Sequence, residues 1–237
     1  MDELFGAVVG LGAPLIAASF PRAYLDVNRE PYELDPELFR VELPDFANTQ
    51  SVRVAGGLGT IARIVSESEE IYAEPLSLAA ALERIKRLYF PFHDALYDLL
   101  ATTRKRFGMA VLIDCHSMPS ATVGGHPGHR PDFVLGDRFG ETCDCQLTHL
   151  IRDALTERGY QVQLNRPYAG GFITEHYGTP LKGHHALQIE INRALYMKEK
   201  SLRRRAGFKT LQQDLAKVAA LLFAELPQLL TTQAAAE

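Results

Sequence analysis

Val111-Leu112-Ile113-Asp114-Cys115-His116-Ser117-Met118-Pro119 is the stretch that decides the fold class. Three aliphatic residues in a row predict a buried strand, and the polar residues and proline that follow predict its end. Asp114 and His116 are two apart, so strand geometry projects both to one face and Cys115 to the other. A carboxylate and an imidazole at the carboxyl end of a buried strand sit where open α/β sheets place their ligands. His116 has the chemistry of a metal ligand, and Asp114 that of the carboxylate that orients one. A strand-end Asp capping the next turn, with a His satisfied by backbone, stays open beside this, because D-x-H is too short to be specific.

The rest of the chain fits an ordinary globular protein. Its 237 residues lie near the upper end of what one core supports; 46% are hydrophobic and 23% charged. A net charge of −4 and a pI near 6.1 give no nucleic-acid footprint. Arg203-Arg204-Arg205 reads as a solvated face. With no signal peptide and no apolar run of membrane-spanning length, the expectation is a cytoplasmic protein without a membrane partner. Cys143-x-Cys145 matches neither a disulfide framework nor a zinc ribbon.

Upstream of the central strand, residues 1–10 read as the tail of a helix that starts in mid-pattern. Short strands are expected at 13–18, 24–27 and 60–65. Between them, 30–60 has no clear period and reads as a lid or pocket wall. Gly56-Gly57-Leu58-Gly59 within it is a turn, since it lacks the lysine and spacing of a P-loop. Ser77 opens the longest helix, with Leu78, Leu82, Ile85, Tyr89, Phe92, Leu96 and Leu99 as its apolar stripe. Pro91 predicts a kink or break there, and His93, off the stripe, is expected at the surface.

Downstream, His126 and His129 lie in a Gly- and Pro-rich loop that excludes a helical ligand pair, so no metal is assigned to them. Strands are expected at 132–135 and 160–164, flanking a helix through Leu147, Ile151 and Leu155 closed by Gly159. Residues 165–178 are irregular and polar. Residues 186–192 alternate, Leu187, Ile189 and Ile191 against Gln188, Glu190 and Asn192; an edge strand with one wet face would alternate the same way. A last helix runs through Leu211, Leu215, Val218, Leu222 and Leu226, and 228–237 is expected to be a flexible tail. Strands alternating with helices predict one α/β domain over 1–237, a three-layer α/β/α sandwich with a mixed, largely parallel sheet.

Four blocks, Asp114-Cys-His-Ser-Met-Pro119, Asn165-x-Pro-Tyr-x-Gly-Gly171, His176-Tyr-Gly178 and Gln188-Ile-Glu-Ile-Asn-Arg193, together resemble the N-formylglutamate amidohydrolase family. The resemblance implies a fold akin to the zinc carboxypeptidases and the aspartoacylase and succinylglutamate desuccinylase group, of the phosphorylase/hydrolase-like kind. It implies hydrolysis of N-formyl-L-glutamate to formate and glutamate, late in histidine degradation. It implies a zinc cofactor with His116 as its last ligand, and Glu190 as the carboxylate that activates water and then protonates the leaving amine. Asn28-Arg29 resembles the pair that grips a substrate carboxylate in these relatives. The substrate has two carboxylates, and Arg193, close to Glu190 in sequence, is the candidate for the second.

One departure stands against this. The family draws its first two metal ligands from a Pro-His-Ser-Gly-like stretch before the Asn-Arg motif, whereas this chain has no histidine before His93. A catalytic zinc needs three protein ligands and an open position. The expectation is a shortened form of an active enzyme lacking an N-terminal segment, or else a non-catalytic binder of acyl-amino acids.

Overall fold

The computed structural model describes residues 1–65, 69–121 and 130–234. His126 and His129 lie outside the described residues. In chain order the elements are α1 (Asp2–Phe5), a 3-10 turn (Gly6–Leu11), α2 (Val52–Ala55), α3 (Leu78–Arg84), a π turn (Ile85–Tyr89) and α4 (Phe90–Phe107). There follow β1 (Ala110–Met118), β2 (Phe133–Gly136), α5 (Cys145–Thr156), β3 (Val162–Leu164), α6 (Phe172–Tyr177) and β4 (His184–Asn192). The chain closes with the short pair β5 (Met197–Lys198) and β6 (Arg203–Arg204), then α7 (Phe208–Ala234). Two compact units result, Met1–Leu15 with Leu100–Glu237, and Ile16–Leu99.

The larger unit is built on a four-stranded sheet in the order β1-β4-β2-β3. β1 and β4 pair in parallel, as do β2 and β3, while β2 runs antiparallel to β4. β4 is therefore an interior strand bonded on both edges, and its alternation is not that of an edge with a wet face. Its apolar set, Leu187, Ile189 and Ile191, joins Phe133 and Leu135 in one buried layer. Onto that layer pack Leu147, Ile151 and Leu155 of α5 and Leu211, Leu215 and Val218 of α7. Each such side chain contributes roughly 1.5–3 kcal/mol on burial. α5 is capped at its start by Asp144, whose carboxylate accepts from Gln146 N at 2.8 Å. It ends at Thr156, and the turn that follows closes at Gly159, at φ 86°. On the opposite, polar face the 165–178 segment, which includes α6, lies over Gly136 of β2 and Gln188 of β4. The result is a mixed, largely parallel α/β sheet with helices on both faces. α7 runs on through Pro227 to Ala234, across most of the stretch read as a tail.

β4 opens with two histidines whose protonation the fold opposes. His185 is buried, and its Nδ1 accepts from Asp144 N at 3.1 Å. Burial lowers its pKa below the usual 6.5; His184 adds to this and Asp144 opposes it. His184 is lowered by burial too, then by Arg104 and Lys182. Both groups bind protons more readily unfolded, so their contribution is fully present above about pH 6.5 and is lost as pH falls from there through the lowered folded pKa. Thermal melts from pH 7.5 to 5 should show His185→Gln with a shallower acid decline than wild type. The slope difference has a ceiling of about 1.4 kcal/mol per pH unit for one proton. Parallel declines would remove His185 as the source.

The smaller unit is mostly irregular. The strands expected at 13–18, 24–27 and 60–65 are absent, replaced by isolated bridges such as Glu33↔Asn48 and Ile64↔Glu70. Asp26 N bonds Thr60 O at 2.8 Å and Thr60 N bonds Glu33 O at 2.7 Å, single links without a ladder. Leu25 and Ile61 are buried one side chain at a time. An ion-pair knot fixes the region: Arg63 meets Asp35 at 2.7 Å, Glu37 at 2.7 Å and Glu70 at 3.1 Å.

The long helix corrects two expectations. Pro91 does not break it: helical residues run on through position 91, directly after the π turn Ile85–Tyr89. A π turn carries an extra residue, so the buried stripe shifts and runs Tyr89, His93, Leu96, Leu100. His93 is therefore not at the surface. Its Nε2 lies 2.9 Å from Val27 O, and its ring stacks on Tyr89 at 4.2 Å.

Candidate active site

Asp114 and His116 project from β1 to one face, as their spacing requires, with His116 Nε2 2.8 Å from Asp114 Oδ1. Parallel register sets Asp114 beside Gln188 and His116 beside Glu190. In a parallel ladder, register partners share a face, so an acid–imidazole pair and a second acid stand on adjacent strands. Asp114 thus orients the His116 imidazole through Nε2.

Glu190 is 7% exposed, and its orientation is set by a two-step relay. Gly171 N donates to Gln188 Oε1 at 2.8 Å, which turns the amide nitrogen of Gln188 toward Glu190 Oε1 at 3.1 Å. The loop reaches Gln188 because Gly136, its register partner on β2, has no side chain. A Cβ there would lie 2.7 Å from Ala169 C and Gly170 N. Gly136→Ala should thus cost about 1–3 kcal/mol as overpacking, and should speed amide exchange at 169–171. Unchanged exchange there would mean the loop does not rest on Gly136. Tyr168 completes the cover, packing on Met118 and Val134.

Arg193 follows directly on β4 in a 3-10 turn that Asn192 caps by accepting from Ala194 N at 3.0 Å. Its guanidinium donates to Ser117 Oγ at 3.3 Å and Ser117 O at 3.4 Å. The structure thus places Arg193 against the residue after His116, holding that strand end. Glu199 holds the loop beyond it, accepting from Ser120 N at 3.1 and 3.4 Å.

Asn28 and Arg29 belong to the other unit. Asn28 is buried, and its N–H donates to Asp26 Oδ1 at 2.9 Å. Arg29 donates to Asn28 O at 2.8 Å and Leu58 O at 3.3 Å, and Asp26 Oδ2 lies 3.6 Å from its Nε. Tyr89 OH donates to Arg29 O at 2.6 Å, so with His93 on Val27 O the helix grips this turn from behind. Burial lowers the Arg29 pKa, Asp26 opposes that, and Arg22 and Arg53 add to the lowering.

Among the described residues no three of His, Cys, Asp and Glu converge as metal ligands. The described residues by themselves therefore do not make the three-ligand site that a catalytic zinc requires. Gln188, Gly136 and Glu199 escaped the sequence reading. Gln188 carried a signal, since it alternates in phase with Glu190; the other two carried none.

Fold and site together define an α/β domain bearing an imidazole and two acids on neighbouring parallel strands, the equipment of a hydrolase. The N-formylglutamate amidohydrolase family model matches residues 1–197. N-formylglutamate deformylase of Pseudomonas putida is 30% identical over 202 residues, 84% of this chain and 70% of that protein. The enzyme of the same name from Pseudomonas aeruginosa is 32% identical over 205 residues, 85% of this chain and 71% of that protein. The crystal structure of N-formylglutamate amidohydrolase from Ralstonia eutropha JMP134 superposes with a TM-score of 0.89 at 38% identity, covering 95% of this chain and 81% of that one. The chain belongs to the N-formylglutamate amidohydrolase family, a family of amide hydrolases. That kinship suggests a metal and a small-molecule substrate. No helix among the described residues is long and apolar enough to cross a membrane.

Proposed function

We propose that this chain hydrolyses the amide of N-formyl-L-glutamate, releasing formate and L-glutamate. The observation that carries this is Glu190, a buried carboxylate oriented by Gln188 on the strand beside His116. Glu190 takes a proton from the attacking water, whose oxygen adds to the formyl carbon. As the C–N bond breaks, the proton passes to the departing amine nitrogen. Asn28 and Arg29 bind a substrate carboxylate, for which a guanidinium offers a paired contact that an ammonium cannot. Arg193 is read as a positioning residue for the His116 strand end, since two of its three nitrogens, Nε and Nη2, lie on Ser117.

Zinc is the metal that the family resemblance implies. His116 is the described residue assigned to it, with Asp114 orienting the ring. The same resemblance supports a cytoplasmic role in histidine degradation. The test is release of formate and glutamate in equal amounts from N-formylglutamate, with metal analysis of the same preparation. Binding of N-formylglutamate with no formate release would favour the acyl-amino-acid-binding reading.

A further inference from the structure

A ligand with two carboxylates needs two cationic contacts. Arg29 is one on the reading above, and Arg193 spends Nε and Nη2 on Ser117. The unit that carries Arg29 gathers two further arginines near it. Arg22 meets Asp26 Oδ2 at 2.7 Å, the carboxylate oxygen that also faces Arg29 at 3.6 Å. One carboxylate thus serves two guanidinium groups. Arg53 lies on α2, and α2 is tied to this cluster from both ends. At its start, Ser51 caps the helix by accepting from Val54 N at 3.0 Å and donates its hydroxyl to the buried Glu33. At its end, Leu58 N donates to Arg53 O at 2.8 Å, and Leu58 O accepts from Arg29 at 3.3 Å. Arg53 is half-buried and has no carboxylate partner among the described residues. Arg22 and Arg53 both repel the Arg29 charge that burial already disfavours, and the carboxylates of Asp26 and Glu33 offset this. A cluster of like charges is stabilised by an anion, and a half-buried arginine with no carboxylate of its own is the group such an anion would meet.

We propose that Arg53 is the second cation of a dicarboxylate site centred on Arg29, and that it makes this chain prefer glutamate-type diacids over their mono-amides. The proposal rests on Arg29 as a carboxylate clamp. It differs from a solvated-arginine account in predicting an effect that depends on which carboxylate the ligand carries.

The test is calorimetric titration of the full chain with N-formyl-L-glutamate and with its two mono-amides. Wild type should bind the diacid more tightly than either amide. Arg53→Gln should weaken the diacid by roughly tenfold to a hundredfold. One of the two amides, the one lacking the carboxylate that Arg53 holds, should bind wild type and Arg53→Gln equally. Arg53→Lys should fall between, because its ammonium keeps the charge and loses the fork. Arg40→Gln, at an exposed arginine paired with Glu74, controls for net charge and should leave all affinities unchanged. An undiminished diacid preference in Arg53→Gln would overturn the proposal, as would equal losses on all three ligands. Arg29→Ala separates the two levels: unchanged binding there sinks the clamp and the proposal with it. Weakened binding in Arg29→Ala with none in Arg53→Gln sinks the proposal alone.

Discussion

Glu190→Gln is expected to abolish formate release while N-formylglutamate still binds. Removing a general base typically costs a factor of about a hundred to ten thousand in rate. The substitution is close to isosteric, and the new amide oxygen can still accept from Gln188 Nε2, now at 3.1 Å from Glu190 Oε1. The relay to Gly171 should therefore survive, so lost turnover with an unchanged melting temperature would point to the missing proton acceptor. The measurement is kcat with KM and calorimetric affinity on the same preparations. A variant that turns over at near the wild-type rate would remove Glu190 from the chemistry.

The second large effect is at Arg29, whose side chain is only 14% exposed. Arg29→Ala should weaken binding of N-formylglutamate by about 2–5 kcal/mol if a desolvated ion pair is broken. Arg29→Lys should also bind more weakly although it keeps the charge, because an ammonium cannot make the paired contact. Loss should be far smaller for the analogue whose corresponding carboxylate is an amide. Arg29 also bonds Asn28 O and Leu58 O, so a melt of each variant must accompany the titration. Equal affinities for wild type and Arg29→Ala, at unchanged stability, would leave Arg29 as a brace for the turn at Leu58.

What was legible in the sequence depended on repetition along the chain. β4, α5 and α7 announce themselves through periodic apolar residues and β1 through its aliphatic run. The two-residue repeat puts Asp114 with His116 and Gln188 with Glu190, while the pairing that joins the two faces is not written in it. The 16–99 unit has no such period. Its apolar residues, Leu25, Leu34 and Ile61, are buried singly on backbone held by scattered bonds, and a short apolar run there imitates a strand. His93 was misplaced because a π turn, which leaves no mark in residue type, shifts the stripe by one residue. β4 looked equally like an edge or a centre, because strand order is a fact about partners far away in sequence. Arg193 was chosen by its nearness to Glu190 in the chain; its contact with Ser117, 76 residues away, was not legible there.

β4 joins β1 on one edge and β2 on the other, with β3 attached only through β2. As a ribosome extends the chain, β1, β2 and β3 all emerge before the strand that unites them. Until residue 192 is free, β1 has no neighbour in this sheet, and its unpaired edge is open to other chains. Closing the β1–β4 ladder then requires a long loop to be ordered at once, so the sheet should form late and slowly relative to the helices. The strand that carries Glu190 is therefore also the one whose arrival joins the sheet into one piece.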